Sequence, residues 1–223
     1  MKKFFKLFSK KKEEGLKPEE RPKPDRSIKA VVVGDAYVGK TCMCYAFTLE
    51  KFQKQYTPTV FDNYSALMRG SSSLIIDLQM WDTPGKSDDK KIRSLSYPQT
   101  DVFILCFSLV SPESYNNIEK IWIPEIQTED PNIPYILVGL KSDLRDSYPR
   151  VPREYQNDVV RPISTSEGEA LKNKIGARYY IECSALDNYH IMTVFESAID
   201  EVILPRERST VVETINPQVQ SIS

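Results

Sequence analysis

The chain has 223 residues, room for one domain of ordinary size with tails. With 40% hydrophobic and 27% charged residues it can bury a core, so wholesale disorder is not the default, and a net charge of −1 argues against a nucleic-acid binder held by a basic surface. Four scattered cysteines (Cys42, Cys44, Cys106, Cys183) make neither a disulfide framework nor a metal spacing, which points to a reduced, cytoplasmic setting, and no apolar run reaches the ~18 residues of a membrane span.

Residues 1–26 hold ten Lys/Arg against five acids, a net +5 that leaves −6 to the rest. Placed on a helix, Met1, Phe4, Phe5 and Phe8 form one apolar stripe with Leu7 beside it, flanked by Lys2, Lys3, Lys6, Lys10, Lys11 and Lys12. Such a segment suits peripheral attachment to an anionic membrane surface. The same composition also describes a solvated basic tail, or a mitochondrial presequence that Glu13 and Glu14 disfavour. Lys6 interrupts the apolar stretch, against a secretory signal, and Lys at position 2 excludes N-myristoylation. Pro18, Pro22 and Pro24 mark a linker.

The domain itself is expected over 27–204, with a polar, disordered tail at 205–223. Strands are predicted at 28–33, 74–81, 102–109, 133–138 and 179–183, and a helix at 40–50. Ser111-Pro112 starts a helix that runs past Trp122 and should kink or end at Pro124. Ser164 with Glu167 is a capping box, and Gly176 should stop that helix. Ile191, Val194, Phe195, Ala198, Ile199, Val202 and Ile203 make a final helical stripe. Alternating strands and helices imply an α/β fold, a mostly parallel sheet with helices on both faces. The turn Gly70-Ser71-Ser72-Ser73 adds a hairpin and hence one antiparallel edge strand. His190 is expected at the surface and Trp122 in the core.

Ligands of such sheets bind beyond the carboxyl ends of the strands. Gly34-Asp35-Ala36-Tyr37-Val38-Gly39-Lys40-Thr41 fits G-x-x-x-x-G-K-[ST] between a strand and a helix. The glycines let backbone N–H groups turn toward phosphate oxygens, and the helix N-terminus adds its dipole. Lys40 brings a charge to the terminal phosphates and Thr41 a hydroxyl to Mg²⁺. After the strand at 74–81 comes Asp82-Thr83-Pro84-Gly85. Alone it is a good turn. Beside a phosphate loop, Asp82 suits a Mg²⁺ site and Gly85 a close approach to the terminal phosphate.

The stretches Tyr56-Thr57-Pro58-Thr59-Val60-Phe61-Asp62-Asn63-Tyr64 and Leu95-Ser96-Tyr97-Pro98-Gln99-Thr100-Asp101-Val102-Phe103 resemble the switch-flanking signatures of Rho-family small GTPases, especially the Rac branch. The resemblance covers about 28–204 and implies a six-stranded P-loop GTPase fold that binds GTP or GDP. It implies nucleotide contacts at Gly34, Tyr37, Val38, Gly39, Lys40, Thr41, Cys42, Phe52, Tyr56, Thr59, Gly85, Lys141, Asp143, Ser184 and Ala185, and Mg²⁺ held by Thr41, Thr59 and Asp82. Asp143 would accept the guanine N1 and N2 hydrogens, Lys141 would pack on the base, and the Ala185 N–H would face guanine O6. Effectors would read Tyr56, Phe61, Asp62, Tyr64 and Tyr97. Exchange factors would sense Trp81. A helical insert of the Rho type would occupy about 147–161, and the protein would be a monomer.

Departures from the family pattern cluster at the chemistry. Ala36 stands for a glycine, Tyr37 is bulky, and Pro84-Gly85-Lys86-Ser87 replaces Ala-Gly-Gln-Glu. Lys86 thus holds the catalytic glutamine's position, and lysine has no acceptor with which to orient water. Slow or lost GTP hydrolysis is expected, as in Rnd-type atypical Rho proteins. Leu140 replaces a polar residue that ties the base loop to the phosphate loop, so faster nucleotide exchange is expected. The end Gln220-Ser221-Ile222-Ser223 carries no prenylation motif. Three function classes follow: a cycling GTPase with compensated hydrolysis that regulates the actin cytoskeleton, a GTP-held signalling module, and a nucleotide-free scaffold. The second is favoured.

Overall fold

A computed structural model describes residues 6–8, 22–52, 59, 62–69, 74–147 and 161–204. Strand β1 (Lys6–Phe8) is followed by β2 (Arg26–Val33), α1 (Lys40–Leu49), β3 (Asp62–Arg69), β4 (Ile75–Asp82), a 3₁₀ turn (Ser87–Asp89) and α2 (Lys90–Ser94). Then come β5 (Val102–Ser108), α3 (Pro112–Asn117), a π-helical turn (Ile118–Trp122), α4 (Ile123–Gln127), β6 (Tyr135–Leu140), α5 (Ser142–Asp146), α6 (Thr165–Ile175), β7 (Tyr180–Cys183) and α7 (Ile191–Ile203).

The strands form one sheet in the order β1-β3-β4-β2-β5-β6-β7. From β4 to β7 all pairs are parallel, and β3 runs antiparallel to β4. This is the expected six-stranded α/β P-loop sheet with one antiparallel edge strand. The register Asp62↔Asp82 through Arg69↔Ile75 brings β3 back along β4, while the turn at 70–73 lies outside the described residues. The central strands are buried on both faces, β5 at every position, as parallel strands covered by helices must be. Two apolar layers result. One packs α1 and α7 through Met43, Phe47, Phe195 and Ile199; the other gathers Phe103, Phe107, Ile118, Trp122 and Leu171 beneath the helices of the opposite face.

Beyond the six strands, β1 adds a short seventh, antiparallel to β3. The apolar spacing at the N-terminus suggests a helix, but at residues 6–8 the backbone is extended, because the open edge of β3 offers hydrogen-bond partners that an isolated segment lacks.

Local signals act as expected in α6. Ser164 and Glu167 form the reciprocal capping box, and Gly176 ends the helix in the left-handed region at φ 76°. Pro124 does not end the helix that starts at Pro112. It lies in the first turn of α4, directly after the π-helical turn that re-spaces the backbone bonds its missing N–H would disturb.

Candidate nucleotide site

The loop at 34–39 leaves the carboxyl end of β2 and opens α1. Gly34 sits at φ 145°, and a Cβ there would meet the Cys106 carbonyl oxygen at 2.1 Å. Tyr37 is left-handed at φ 65° without being glycine. Its carbonyl accepts a 2.6 Å hydrogen bond from Lys141 Nζ, which helps to hold this unfavourable conformation. Lys40 is buried, and its Nζ donates to the carbonyls of Gly34 at 2.7 Å and Asp35 at 2.8 Å. Burial lowers its pKa and the nearby Asp82 carboxylate opposes that shift.

At the mouth of the loop, Thr41 Oγ1 donates to Asp82 Oδ2 at 2.5 Å. Thr59 Oγ1 stands 2.7 Å from Thr41 Oγ1 and 3.4 Å from Asp82 Oδ2. Asp82 is fully buried, burial raises its pKa to about 6, and the Thr41 hydroxyl and Lys40 charge pull the other way. Its Oδ1 has no hydrogen-bond partner among the described residues. Two hydroxyls converging on a buried carboxylate with one oxygen unmatched suit a hydrated divalent cation.

Gly85 closes against the same loop. Its carbonyl accepts from the Ala36 N–H at 3.2 Å, and a Cβ on Gly85 would lie 2.4 Å from Ala36 N. Pro84 is buried beside it, and the Lys86 side chain is exposed. Thr83 Oγ1 fixes the segment to β2 through the Val32 carbonyl at 2.7 Å.

The base side lies at the end of β6. Lys141 turns the chain in the left-handed region, φ 64°, into α5. Asp143 Oδ1 accepts from Ser184 Oγ at 2.7 Å, and Ser184 Oγ accepts from the Asp187 N–H at 3.1 Å. A cavity of about 430 Å³ opens here, lined by Ser142, Asp143, Asp146, Ser147, Asp187 and Tyr189. Leu140 is buried under the phosphate loop. A Cβ on Gly39 would come within 3.8 Å of its Cδ1. Val38 is buried, Cys42 and Ala185 are half-buried, and Phe52 is exposed.

Some candidates are not brought together. Tyr56, Phe61 and residues 148–160 of the insert lie outside the described residues. Asp62 is exposed and Tyr64 half-buried. Tyr97, expected to meet effectors, is instead only 3% exposed, with its hydroxyl donating to Glu125 Oε1 at 2.5 Å. A phenol this deeply buried needs an internal partner. The exposed apolar side chains of that segment are Ile92 and Leu95.

A second buried cluster escapes local sequence reading. Arg93 pairs with both Glu125 oxygens at 2.6 and 2.7 Å, and its Nη1 donates to the Lys86 carbonyl at 2.5 Å. Its guanidinium lies over the Trp122 ring, 4.8 Å from the centroid. Trp122 Nε1 and Asn117 Nδ2 each donate to the Asp35 carboxylate at 2.7 Å. Trp122 is thus buried, as expected, and also ties the phosphate loop to the segment that carries Lys86.

Residues 29–204 match the Ras family. The chain belongs to the Ras family. A Ras-family domain with this phosphate loop is a GTP-binding domain of nucleotide-dependent signalling. The matched span starts within β2, at Lys29, runs through α7 and leaves β1 outside.

Proposed function

We propose that this Ras-family chain is a Rho-type, Rac-like switch that binds GTP with Mg²⁺, hydrolyses it slowly, and therefore remains largely GTP-bound. The observation that carries the reading is Lys86, next to the Gly85 backbone that touches the phosphate loop. Hydrolysis needs a group that accepts from water while it donates to the phosphate. An ammonium only donates. Ala36 adds a side chain beside the same contact, where an activating arginine would have to enter. Thr41, Thr59 and Asp82 would hold Mg²⁺, which when bound neutralises charge on the phosphate oxygens. Lys40 would meet the terminal phosphates, and Asp143 with Lys141 would select guanine. Effectors would be read by the exposed Asp62, Ile92 and Leu95, and exchange factors near Trp81.

Purified protein should carry GTP on chromatographic analysis. GDP would favour a cycling enzyme with compensated hydrolysis, and no nucleotide would favour a scaffold. In single turnover, Lys86→Gln should raise the hydrolysis rate by about 10²-fold. The unmodified chain should ignore a Rho-type activating protein.

The N-terminal segment, with Met1, Lys2, Lys3, Phe4, Phe5 and Phe8, supports peripheral attachment to the cytoplasmic face of an anionic membrane. No helix among the described residues is long and apolar enough to cross one. Sedimentation with anionic vesicles tests this, and loss of binding on deleting residues 1–12 is expected.

A further inference from the structure

Asn117, Trp122 and Glu125 lie along one helical run, from α3 through the π-helical turn to α4. Asn117 Nδ2 and Trp122 Nε1 each donate to the Asp35 carboxylate at 2.7 Å. In an α-helix, residues five apart point about 140° away from each other. A π turn instead closes its hydrogen-bonded ring at five residues, and the π-helical turn here is Ile118–Trp122. It puts the amide and the indole on one side of the run, where both reach the same carboxylate.

The same run also holds the segment that follows β4. Arg93 Nε and Nη2 donate to the two Glu125 oxygens at 2.6 and 2.7 Å, and Nη1 donates to the Lys86 carbonyl at 2.5 Å. The guanidinium lies over the Trp122 ring. Gly85 closes the circuit. Its carbonyl accepts from the Ala36 N–H, and a Cβ on it would stand 2.4 Å from the Asp35 carbonyl carbon. Asp35 is thus held at its side chain by Asn117 and Trp122 and at its carbonyl by Lys40. Lys86 is held at its carbonyl by an arginine that lies on the same indole.

We propose that Arg93 is a positioning residue for GTP hydrolysis: braced by Glu125 and Trp122, it seats residue 86 against the phosphate loop. The proposal rests on the reading of Lys86 above and adds to it. The seat for a water-orienting side chain is kept in this chain, and only the side chain that occupies it is changed. Arginine suits the task because its rigid fork donates in several fixed directions at once, whereas a lysine ammonium is a single point of charge. Desolvation offsets much of the attraction in a buried ion pair, so such a pair adds little net stability. What the Arg93–Glu125 pair adds here is direction, aimed at one backbone carbonyl. Displacing a reacting group by about 1 Å costs about 10²-fold in rate, so the seat matters as much as the residue in it.

The test compares the full chain carrying Lys86→Gln with the same chain carrying in addition Arg93→Lys, Trp122→Phe or Tyr97→Phe. Arg93→Lys keeps a charge opposite Glu125 but cannot also hold the carbonyl of residue 86. Trp122→Phe keeps a ring beneath Arg93 but loses the donor to Asp35. Tyr97→Phe removes only a hydrogen bond to Glu125 and is the control. In single turnover with GTP and Mg²⁺, Arg93→Lys should cancel the gain from Lys86→Gln, a loss of about 10²-fold, and Trp122→Phe should lower the rate about tenfold. The dissociation constant of a fluorescent GTP analogue should stay within about threefold in Arg93→Lys, since the lost contact positions rather than binds. Tyr97→Phe should lower the urea midpoint and leave the rate unchanged. Hydrogen–deuterium exchange over residues 86–89 gives a readout apart from turnover. With Lys86 in place and a non-hydrolysable GTP analogue bound, Arg93→Lys should speed it about tenfold and Tyr97→Phe should not change it. Lower urea midpoints in all three variants, with rates and exchange unaltered, would mean a merely structural cluster and overturn the proposal. If Arg93→Lys does not fold, Trp122→Phe applies the same test from the other end of the brace. If Lys86→Gln is no faster than the unmodified chain, the reading of Lys86 fails, and the exchange result alone decides whether Arg93 seats residue 86.

Discussion

Single residues decide the chemistry of the phosphate loop. Gly85 touches the loop backbone so closely that a methyl group would meet Ala36 N at 2.4 Å and the Gly34 carbonyl at 2.6 Å. Gly85→Ala should therefore push the two segments apart. The expected outcome is at least a tenfold loss of GTP affinity in a filter-binding or fluorescent-nucleotide assay, corresponding to about 1.4 kcal/mol, with the fold retained by circular dichroism. Leu140 supplies only van der Waals contact beneath Gly39. Leu140→Thr would restore a hydroxyl and should slow release of a fluorescent nucleotide several-fold. At this scale the sequence is most legible, because the P-loop and Asp82-Thr83-Pro84-Gly85 each concentrate their chemistry in a few consecutive residues. The Asp35–Trp122 bond is not legible in that way. Its partners are 87 positions apart, and nothing local to Trp122 distinguishes a core indole from one that also holds a loop.

At the level of elements, α2 and α4 are locked together by Arg93, Tyr97 and Glu125. Arg93 is 1% and Glu125 6% exposed. Burial alone would push the Glu125 carboxyl up, but the hydrogen bonds from Arg93 and Tyr97 outweigh it and hold its pKa below the ordinary value. The folded pKa is thus lower than the unfolded one. The pair's contribution is complete above the usual carboxylate range, near pH 4.5, and is lost as pH falls through the folded value. Glu125→Gln leaves Arg93 buried without its counter-charge and should cost about 3–5 kcal/mol at neutral pH. Its urea midpoint should also depend less on pH over the acid limb than that of the unmodified chain. The capping box of α6 is a smaller, separable term, and Ser164→Ala should cost about 1 kcal/mol in the same titration. Helix starts such as Ser111-Pro112 and Ser164 are readable because their hydrogen bonds span three or four residues. The short β1 is not. Met1, Phe4, Phe5 and Phe8 carry a helical spacing, and only the distant edge of β3 makes residues 6–8 extended.

Across the whole molecule, six strands run as the alternation of strand-like and helix-like segments implies, because each parallel pair needs a crossover and the helices supply it. Ligand should then act on the fold as a unit, since the phosphate loop follows β2, the acid ends β4 and the base site follows β6. Saturating GTP and Mg²⁺ at about 1,000 times the dissociation constant should add about 4 kcal/mol to unfolding stability. Chelation with EDTA should remove part of that gain, read as a drop in Tm. The same connectivity gives the protein its own optical reporter. It has two tryptophans. Trp81 lies beneath the Lys29 ammonium, 4.0 Å from its ring centroid, on a central strand. Trp122 is gripped on one side by the loop that surrounds the phosphates and on the other by the arginine that holds the Lys86 carbonyl. Any rearrangement between those two segments alters the field across that indole, so its emission wavelength and quantum yield should follow nucleotide turnover in real time, without a dye and without touching the ligand.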